Sequence, residues 1–175
     1  MKTYIALLRG INVSGQKKIL MADLRTLLEK AGLQNIKTYI QSGNVIFSSS
    51  EKKETVATII FEAIQKKYGW EVPVLVFTST ELKSVFDNCP FSEKKKEKSY
   101  FILLKSKPTT ESIIETSKLS TPEEEFVITN SCVYIYYDLG AGKAKLGTNL
   151  FERKLKVKAT ARNYRTMKKL LELSN

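Results

Sequence analysis

The sequence predicts an α+β protein built from two ferredoxin-like (βαββαβ) subdomains, a duplication whose second copy is irregular and carries extra C-terminal helices. Three observations support this prediction. Short apolar runs alternate with segments of helical periodicity, residues 1–78 show them in the order β-α-β-β-α-β, and residues 79–175 partly repeat that order. We therefore expect an N-terminal subdomain over residues 1–78 and a C-terminal α+β subdomain over residues 79–175, with basic C-terminal helices, packed as one compact unit.

Each element of the first half follows from a residue pattern. Strands are predicted where short apolar runs meet polar or turn-forming residues, at residues 3–8, 36–40, 44–47 and 72–77. Helices are predicted where apolar residues recur with helical spacing, at residues 20–31 and 56–64. Ser48 and Glu51 have the spacing of a capping box and predict the start of the second helix, which we expect to end near Gly69.

The second half is predicted in the same way. Thr78 and Glu81 indicate a capping box that opens a linking helix. Strands are expected at residues 100–104, 125–130 and 132–137, and further helices at residues 110–118, 149–155 and 163–173. Asn163 is the predicted N-cap of the last helix, with Tyr164, Met167, Leu170 and Leu171 facing inward.

Some predicted strands are apolar at every position rather than at alternate ones. This holds for residues 4–8, 74–77 and 101–104. A sheet with one solvent-exposed face would alternate apolar and polar residues. We therefore expect the second face of each sheet to be covered, which favours one compact unit over two independent domains.

The composition excludes several classes of function. The chain has 175 residues and no histidine, so Ser-His-Asp and Cys-His catalysis are excluded. We assign no catalytic residue, no metal site and no cofactor. Cys89 and Cys132 lack CxxC spacing and are expected to be plain thiols. No apolar run is long enough to span a membrane and the N-terminus does not resemble a signal peptide, so we expect a cytoplasmic protein with no membrane partner.

The positive charge is concentrated near the C-terminus. The net charge is +11, and residues 139–175 contribute ten Lys or Arg against two Glu. Such a region attracts polyanions, although a solvated basic face has the same composition. A nucleic-acid-binding accessory protein is therefore the alternative function, with contacts from Arg153, Lys156, Arg162, Arg165 and Lys169.

Two polar loops of the first half are expected to meet. In a βαββαβ unit the strand order is 4-1-3-2, so the end of the first strand lies beside the start of the third. This brings together Arg9, Gly10, Asn12, Gln41, Ser42, Gly43 and Asn44. Arginine, a glycine-containing loop and a nearby helix N-terminus are suited to an anion, and Lys17 and Lys18 add positive charge. The alternative is that these residues only form turns.

Two other segments have features of anion binding. The loop at residues 140–148 is rich in glycine and contains Lys143, but it lacks the glycine and the Ser or Thr that a Walker loop requires. It is either an anion-binding loop or a flexible connector. Arg162, Asn163 and Arg165 precede or begin the last helix, where cations are unfavourable unless a carboxylate or a ligand phosphate balances them. The sequence therefore predicts a protein that binds an anionic or phosphorylated small ligand where the two polar loops of the first half meet. Lys143, Arg162, Asn163 and Arg165 would assist this binding.

Four separated blocks carry a family resemblance. They are "LRGINVSG", "MADLRTLLEKAG", "TYIQSGNVIF" and "ATARNYRTMKKL", in this order along nearly the whole chain. Together they resemble the domain-of-unknown-function family 1697, a widespread group of mainly bacterial cytosolic proteins. Tyr164 stands where tryptophan often follows "RN" in that family. The resemblance implies two ferredoxin-like α+β subdomains, and it implies no activity.

Overall fold

The computed structural model describes residues 1–174 and contains two four-stranded antiparallel sheets. The strands of the first sheet are β1 (Lys2–Leu8), β2 (Gln34–Tyr39), β3 (Asn44–Ser49) and β4 (Val74–Thr78). Its helices are α1 (Met21–Lys30) and α2 (Lys53–Tyr68). The helix α3 (Ser79–Asp87) and the short helix α4 (Glu93–Lys96) lead to the second sheet.

The second sheet contains β5 (Ser99–Leu104), β6 (Glu124–Ile128), β7 (Cys132–Tyr137) and β8 (Ala159–Asn163). Its helices are α5 (Thr110–Ser117) and α6 (Thr148–Leu155), with a 3₁₀ turn at Ala141–Lys143. The last helix, α7 (Tyr164–Ser174), follows β8 directly. The predicted fold class is confirmed.

Both sheets have the same topology. Their strand orders are β2-β3-β1-β4 and β6-β7-β5-β8, so the first strand of each half lies between the third and the fourth. In the first sheet Leu7 is opposite Asn44 of β3, and Leu8 is opposite Val74 of β4. This register sets the end of β1 beside the starts of β3 and β4. The predicted strand order of the first half is correct.

The core of the first half forms where α1 and α2 pack on one face of the sheet. Leu24 and Leu28 are fully buried on α1, as are Ile60 and Ile64 on α2, because residues four apart lie on the same helical face. The β1 residues that point to the other face are also buried, and Ile5 and Leu7 have no exposed surface. The unbroken apolar run in β1 is explained by this burial on both faces.

The fourth strand of the second half was missed by sequence reasoning. β8 has the sequence ATARN, and alanine has little intrinsic preference for strands. Its pairing with β5, from Leu104 opposite Ala159 to Tyr100 opposite Asn163, determines its conformation. The second half therefore repeats the whole βαββαβ pattern, with α7 added after it.

The predicted helix caps had different outcomes. The capping box at Ser48 and Glu51 is wrong, because Ser48 lies within β3 and α2 begins at Lys53, after Lys52, without a side-chain cap. The capping box at Thr78 and Glu81 is present: the backbone N–H of Thr78 donates to Glu81 Oε2 at 2.8 Å, and that of Glu81 donates to Thr78 Oγ1 at 3.1 Å.

The chain divides into two compact units. One consists of residues 1–83 together with the end of α7 from Leu170, and the other of Ser84–Lys169. Both divisions fall inside helices, α3 and α7. The boundary after residue 78 and the packing into one compact unit, both expected from the sequence, stay predictions.

Candidate functional site

The two polar loops of the first half are direct neighbours. We call residues 9–20 the entry loop and residues 40–43 the hairpin turn. The backbone N–H of Leu8 donates to the carbonyl oxygen of Gly43 at 2.8 Å, which continues the β1–β3 ladder into the turn. The two loops together, with the start of α1, form the loop edge of the first sheet.

Asn12 joins the two loops through its side chain. Its Nδ2 donates to the carbonyl oxygens of Ile19 at 2.9 Å and Gln41 at 2.8 Å, and its Oδ1 accepts from the N–H of Ile19 at 2.9 Å. These bonds use both amide hydrogens and the carbonyl oxygen of Asn12. Asn12 therefore holds the entry loop against the hairpin turn, and its side chain serves the loop geometry.

Gly43 is required by both conformation and space. Its φ is +81°, which favours glycine, and a Cβ atom at this position would lie 2.7 Å from Leu8 Cβ and 2.8 Å from Ile11 Cδ1. The close approach allows the hairpin turn to pack on the end of β1. The interpretation of Gly43 as a turn former is therefore correct.

Asn44 and Ser42 form a hydrogen-bonded pair inside the turn. Asn44 has no exposed surface, and its Nδ2 donates to the carbonyl oxygen of Tyr39 and to Ser42 Oγ, both at 2.9 Å. A buried amide needs such partners, because leaving it unsatisfied costs about 1–3 kcal/mol. Asn44 therefore stabilises the turn through a buried side chain and does not present that side chain to solvent.

The outward-facing groups of the loop edge are cationic and backbone groups. Gly10, Lys18 and Gln41 are exposed, while Arg9 and Lys17 are half-buried. Lys17 Nζ donates to the carbonyl oxygen of Glu71 at 2.9 Å. The helix α1 starts after Leu20 without a side-chain cap, so its first N–H groups also face this edge. Cations and backbone N–H donors thus occur together at this edge.

Apolar side chains lie at the same edge. Val13, Leu20 and Ile40 are 57%, 67% and 49% exposed, so three large apolar side chains of this edge are in contact with solvent. Leu20 and Ile40 are chain neighbours of Ile19 and Gln41, whose carbonyl oxygens share the amide of Asn12. The loop edge therefore combines positive charge with exposed apolar surface.

The backbone of the loop edge is unusual. Among residues 1–174, six non-glycine residues have positive φ, and four of them are Asn12, Ser14, Lys17 and Ile40. A β-branched residue such as Ile40, with φ of 49°, is a conformational outlier. Such conformations cost about 1–3 kcal/mol each and concentrate at functional sites.

The other predicted ligand residues belong to the second unit. Lys143 is exposed in the 3₁₀ turn after β7, and Arg165 is exposed in the first turn of α7. Asn163 Oδ1 accepts from the N–H of Thr166 at 2.9 Å, which confirms its prediction as the N-cap of α7. Arg162 is only 7% exposed, and its Nη1 donates to Thr160 Oγ1 at 2.7 Å and to the carbonyl oxygen of Ala161 at 2.8 Å.

The glycine-rich loop at residues 140–148 does bind an anion, and that anion is a carboxylate of the chain itself. The two carboxylate oxygens of Glu124 accept from the backbone N–H groups of Lys145 and Leu146. Lys145 Nζ also lies 3.4 Å from Glu123 Oε2. Sequence reasoning missed Glu124, although the acidic run at the start of β6 was the available signal.

The cysteines have the properties of buried thiols. Burial raises the pKa of Cys132 well above its usual value, and burial also raises the pKa of half-buried Cys89. A raised pKa leaves little thiolate at neutral pH, so neither thiol is activated as a nucleophile. Within residues 1–174, no cluster of three or more Cys, Asp or Glu residues could hold a metal ion.

A depression at the opposite edge of the first sheet is less suited to anions. Met1, Leu33, Ser49, Glu51 and Ile59 are among its lining residues, and no lysine or arginine lines it.

Among residues 1–174, every helix is too short or too polar to cross a membrane.

Comparison with known proteins identifies the family. The structure is similar to that of the conserved bacterial protein SP0830 from Streptococcus pneumoniae, with a TM-score of 0.77 and 20% sequence identity over 99% of this chain and 98% of that one. This similarity shows the fold. No curated protein matches the sequence. The family described as "Protein of unknown function (DUF1697)" matches residues 1–134. The chain therefore belongs to the DUF1697 family.

Proposed function

We propose that this protein binds an anionic or phosphorylated small ligand at the loop edge of the first sheet. The ligand would contact Arg9, Lys18 and the N–H groups near Gly10 and the start of α1. Asn12, Gln41, Ser42, Gly43 and Asn44 would hold the two loops in the binding conformation. The residues of the C-terminal half that the sequence predicts for this site lie in the other unit and are left out of the proposal: Lys143, Arg162, Asn163 and Arg165.

The concentration of strained backbone at this edge carries the proposal. Four of the six positive-φ non-glycine residues among residues 1–174 lie in the entry loop and the hairpin turn. Asn12 closes the entry loop through two hydrogen bonds with Ile19 and joins it to the hairpin turn through one with Gln41. A loop that served only as a connection would not need this amount of unfavourable conformation.

The ligand that fits also has an apolar part. Val13, Leu20 and Ile40 expose large apolar side chains beside the cations of the same edge. Burying apolar surface contributes about 25 cal/mol per Å². An anion with an attached apolar group would use both features, whereas inorganic phosphate would use only one.

The experiment is a thermal-shift screen with inorganic phosphate, sugar phosphates, nucleotides and alkyl phosphates, followed by calorimetry on the compounds that stabilise the protein. A ligand at 100 times its Kd stabilises the folded state by about 2.7 kcal/mol, which raises Tm by several degrees. We expect Arg9→Ala and Lys18→Ala each to weaken binding by about tenfold, since a hydrogen bond to a charged group contributes about 1.5–3 kcal/mol.

The control is Lys2→Ala, which removes the same charge from an exposed position at the other end of β1. This variant should bind with unchanged affinity. Equal weakening by Lys2→Ala would indicate a general charge effect and contradict the proposal. A screen in which no anion stabilises the protein would also contradict it.

The residues predicted for the alternative nucleic-acid function are not retained as one set. Arg162 is buried. Arg153 and Lys156 precede β8, whereas Arg165 follows its end. The five residues of β8 separate these positions by about 15 Å at the usual rise per residue. Small-ligand binding is therefore the function that we propose for the loop edge.

A further inference from the structure

The second unit has a compact group of exposed cations that the proposed function does not use. It consists of Lys105 and Lys107 after β5, Arg153 and Lys154 at the end of α6, and Lys156 and Lys158 before β8. All six are exposed. We call this group the basic edge.

The ladder between β5 and β8 brings these segments together. Leu104 is opposite Ala159, and the backbone N–H of Lys105 donates to the carbonyl oxygen of Lys158 at 2.8 Å. Lys105 and Lys158 are therefore directly opposite each other on neighbouring antiparallel segments. Like charges in this arrangement destabilise a sheet. The fold thus concentrates positive charge here despite an unfavourable local interaction.

Internal carboxylates do not neutralise the basic edge. Within residues 1–174, none of its six cations forms an ion pair. Glu152, next to Arg153, uses its Oε1 to accept from the N–H of Ala159 at 2.9 Å. Glu111 lies in the first turn of α5, the helix that follows β5. The segments 105–107 and 153–158 contain these six cations and no acid.

The chemistry of this surface favours a phosphodiester backbone. None of the exposed large apolar residues among residues 1–174 lies in the segments 105–107 or 153–158, so the surface lacks the apolar anchors of a membrane-inserting or protein-binding patch. It also lacks aromatic residues for stacking on the bases of single strands. Flexible lysines that contact phosphates without reading bases are typical of sequence-independent duplex binding.

We propose that the basic edge binds the phosphate backbone of a nucleic-acid duplex, without sequence specificity. This interaction is separate from the small-ligand site, because it uses other residues of the other unit. Between four and six phosphate contacts give a plot of log K against log salt concentration with a slope between about −3.5 and −5.5.

Fluorescence anisotropy with a labelled DNA duplex of mixed sequence, between about 50 and 200 mM salt, tests this proposal. The triple variant Lys105→Ala/Lys156→Ala/Lys158→Ala should bind about tenfold more weakly or worse, and its salt slope should be smaller in magnitude by about 3. The matched control is Lys94→Ala/Lys98→Ala/Lys168→Ala, which removes three exposed charges at or beyond the other end of β5 and β8. This control should keep the wild-type slope to within about 1.

Any one of the following results would overturn the inference. Equal loss in both triple variants would mean that only net charge matters. Tighter binding of a single strand, of anionic vesicles or of an acidic peptide would assign the surface to a different partner. An absence of duplex binding at about 50 mM salt would exclude the interaction.

Arg9→Ala should bind the duplex with wild-type affinity, so this experiment and the test of the small-ligand proposal give independent answers. Circular dichroism and Tm confirm that each variant folds.

Discussion

Single side chains determine the shape of the loop edge. Asn12 and Asn44 were predicted either to bind a ligand or only to form turns, and both donate hydrogen bonds to backbone carbonyl groups. The sequence correctly identified both as polar residues of turns. It could not identify the atoms that they contact, because some of these atoms belong to a loop that is distant in sequence. Asn12 and Gln41 are 29 positions apart.

Gly43 gives the clearest prediction for a single residue. We expect Gly43→Ala to destabilise the protein by about 3 kcal/mol or more, because the positive φ costs about 1–2 kcal/mol and the contact with Leu8 Cβ adds strain. The matched control is Gly10→Ala, where φ is also positive, at +72°, but no atom lies within 4 Å of the new Cβ. Urea unfolding measures both, and equal losses would show that the contact has no effect.

Lys156 gives a prediction of opposite sign. It ends α6 in the left-handed conformation, with φ of 57°. Lys156→Gly should therefore stabilise the protein by about 0.5–1 kcal/mol, after the entropy of the unfolded glycine is subtracted. Lys154→Gly, within the helix, should destabilise by about 1 kcal/mol. Chemical denaturation of the two variants compares these effects, and stability changes of the same sign would refute the conformational explanation.

The two predicted capping boxes show how well a local sequence pattern predicts the start of a helix. The spacing of Thr78 and Glu81 predicted a real capping box, while the same spacing at Ser48 and Glu51 did not, because β3 extends through Ser49. Strand pairing with β1 continues to Ser49 opposite Lys2. The extended backbone that this ladder requires prevents Ser48 from acting as a helix cap.

The capping box makes stability depend on pH. Burial raises the pKa of Glu81, but hydrogen bonds from Lys53 and from the N–H of Thr78 outweigh burial and hold the pKa below its usual value. A carboxyl group with a lowered folded-state pKa stabilises the protein above its unfolded pKa, at about 4.3, and this contribution is lost as pH falls through the folded value.

We therefore expect Glu81→Gln to weaken the pH dependence of unfolding below about pH 4.3. Thr78→Ala should cost about 1 kcal/mol by removing one half of the cap. Unfolding curves between neutral and acidic pH measure both effects. A pH dependence that Glu81→Gln leaves unchanged would mean that other carboxyl groups cause it.

At the scale of the molecule, each sheet has a hydrophobic core on its helical face. Truncating either core should cost about 2–5 kcal/mol. If the halves pack as one compact unit, as the sequence predicts, Leu28→Ala in the first core and Phe151→Ala in the second should each accelerate global amide exchange in both β1 and β5. Exchange that accelerates only in the sheet nearest the substitution would contradict this prediction.

The sequence by itself determined the α+β class, the strand order of the first sheet and the meeting of its two polar loops. These follow from apolar periodicity, which reports burial, and from the handedness of strand connections. Tertiary structure alone decided that ATARN is a strand, that Arg162 is buried, and that Glu124 occupies the N–H groups of the glycine-rich loop. Each depends on a partner distant in the chain, and residues of weak local preference take the conformation that such a partner stabilises.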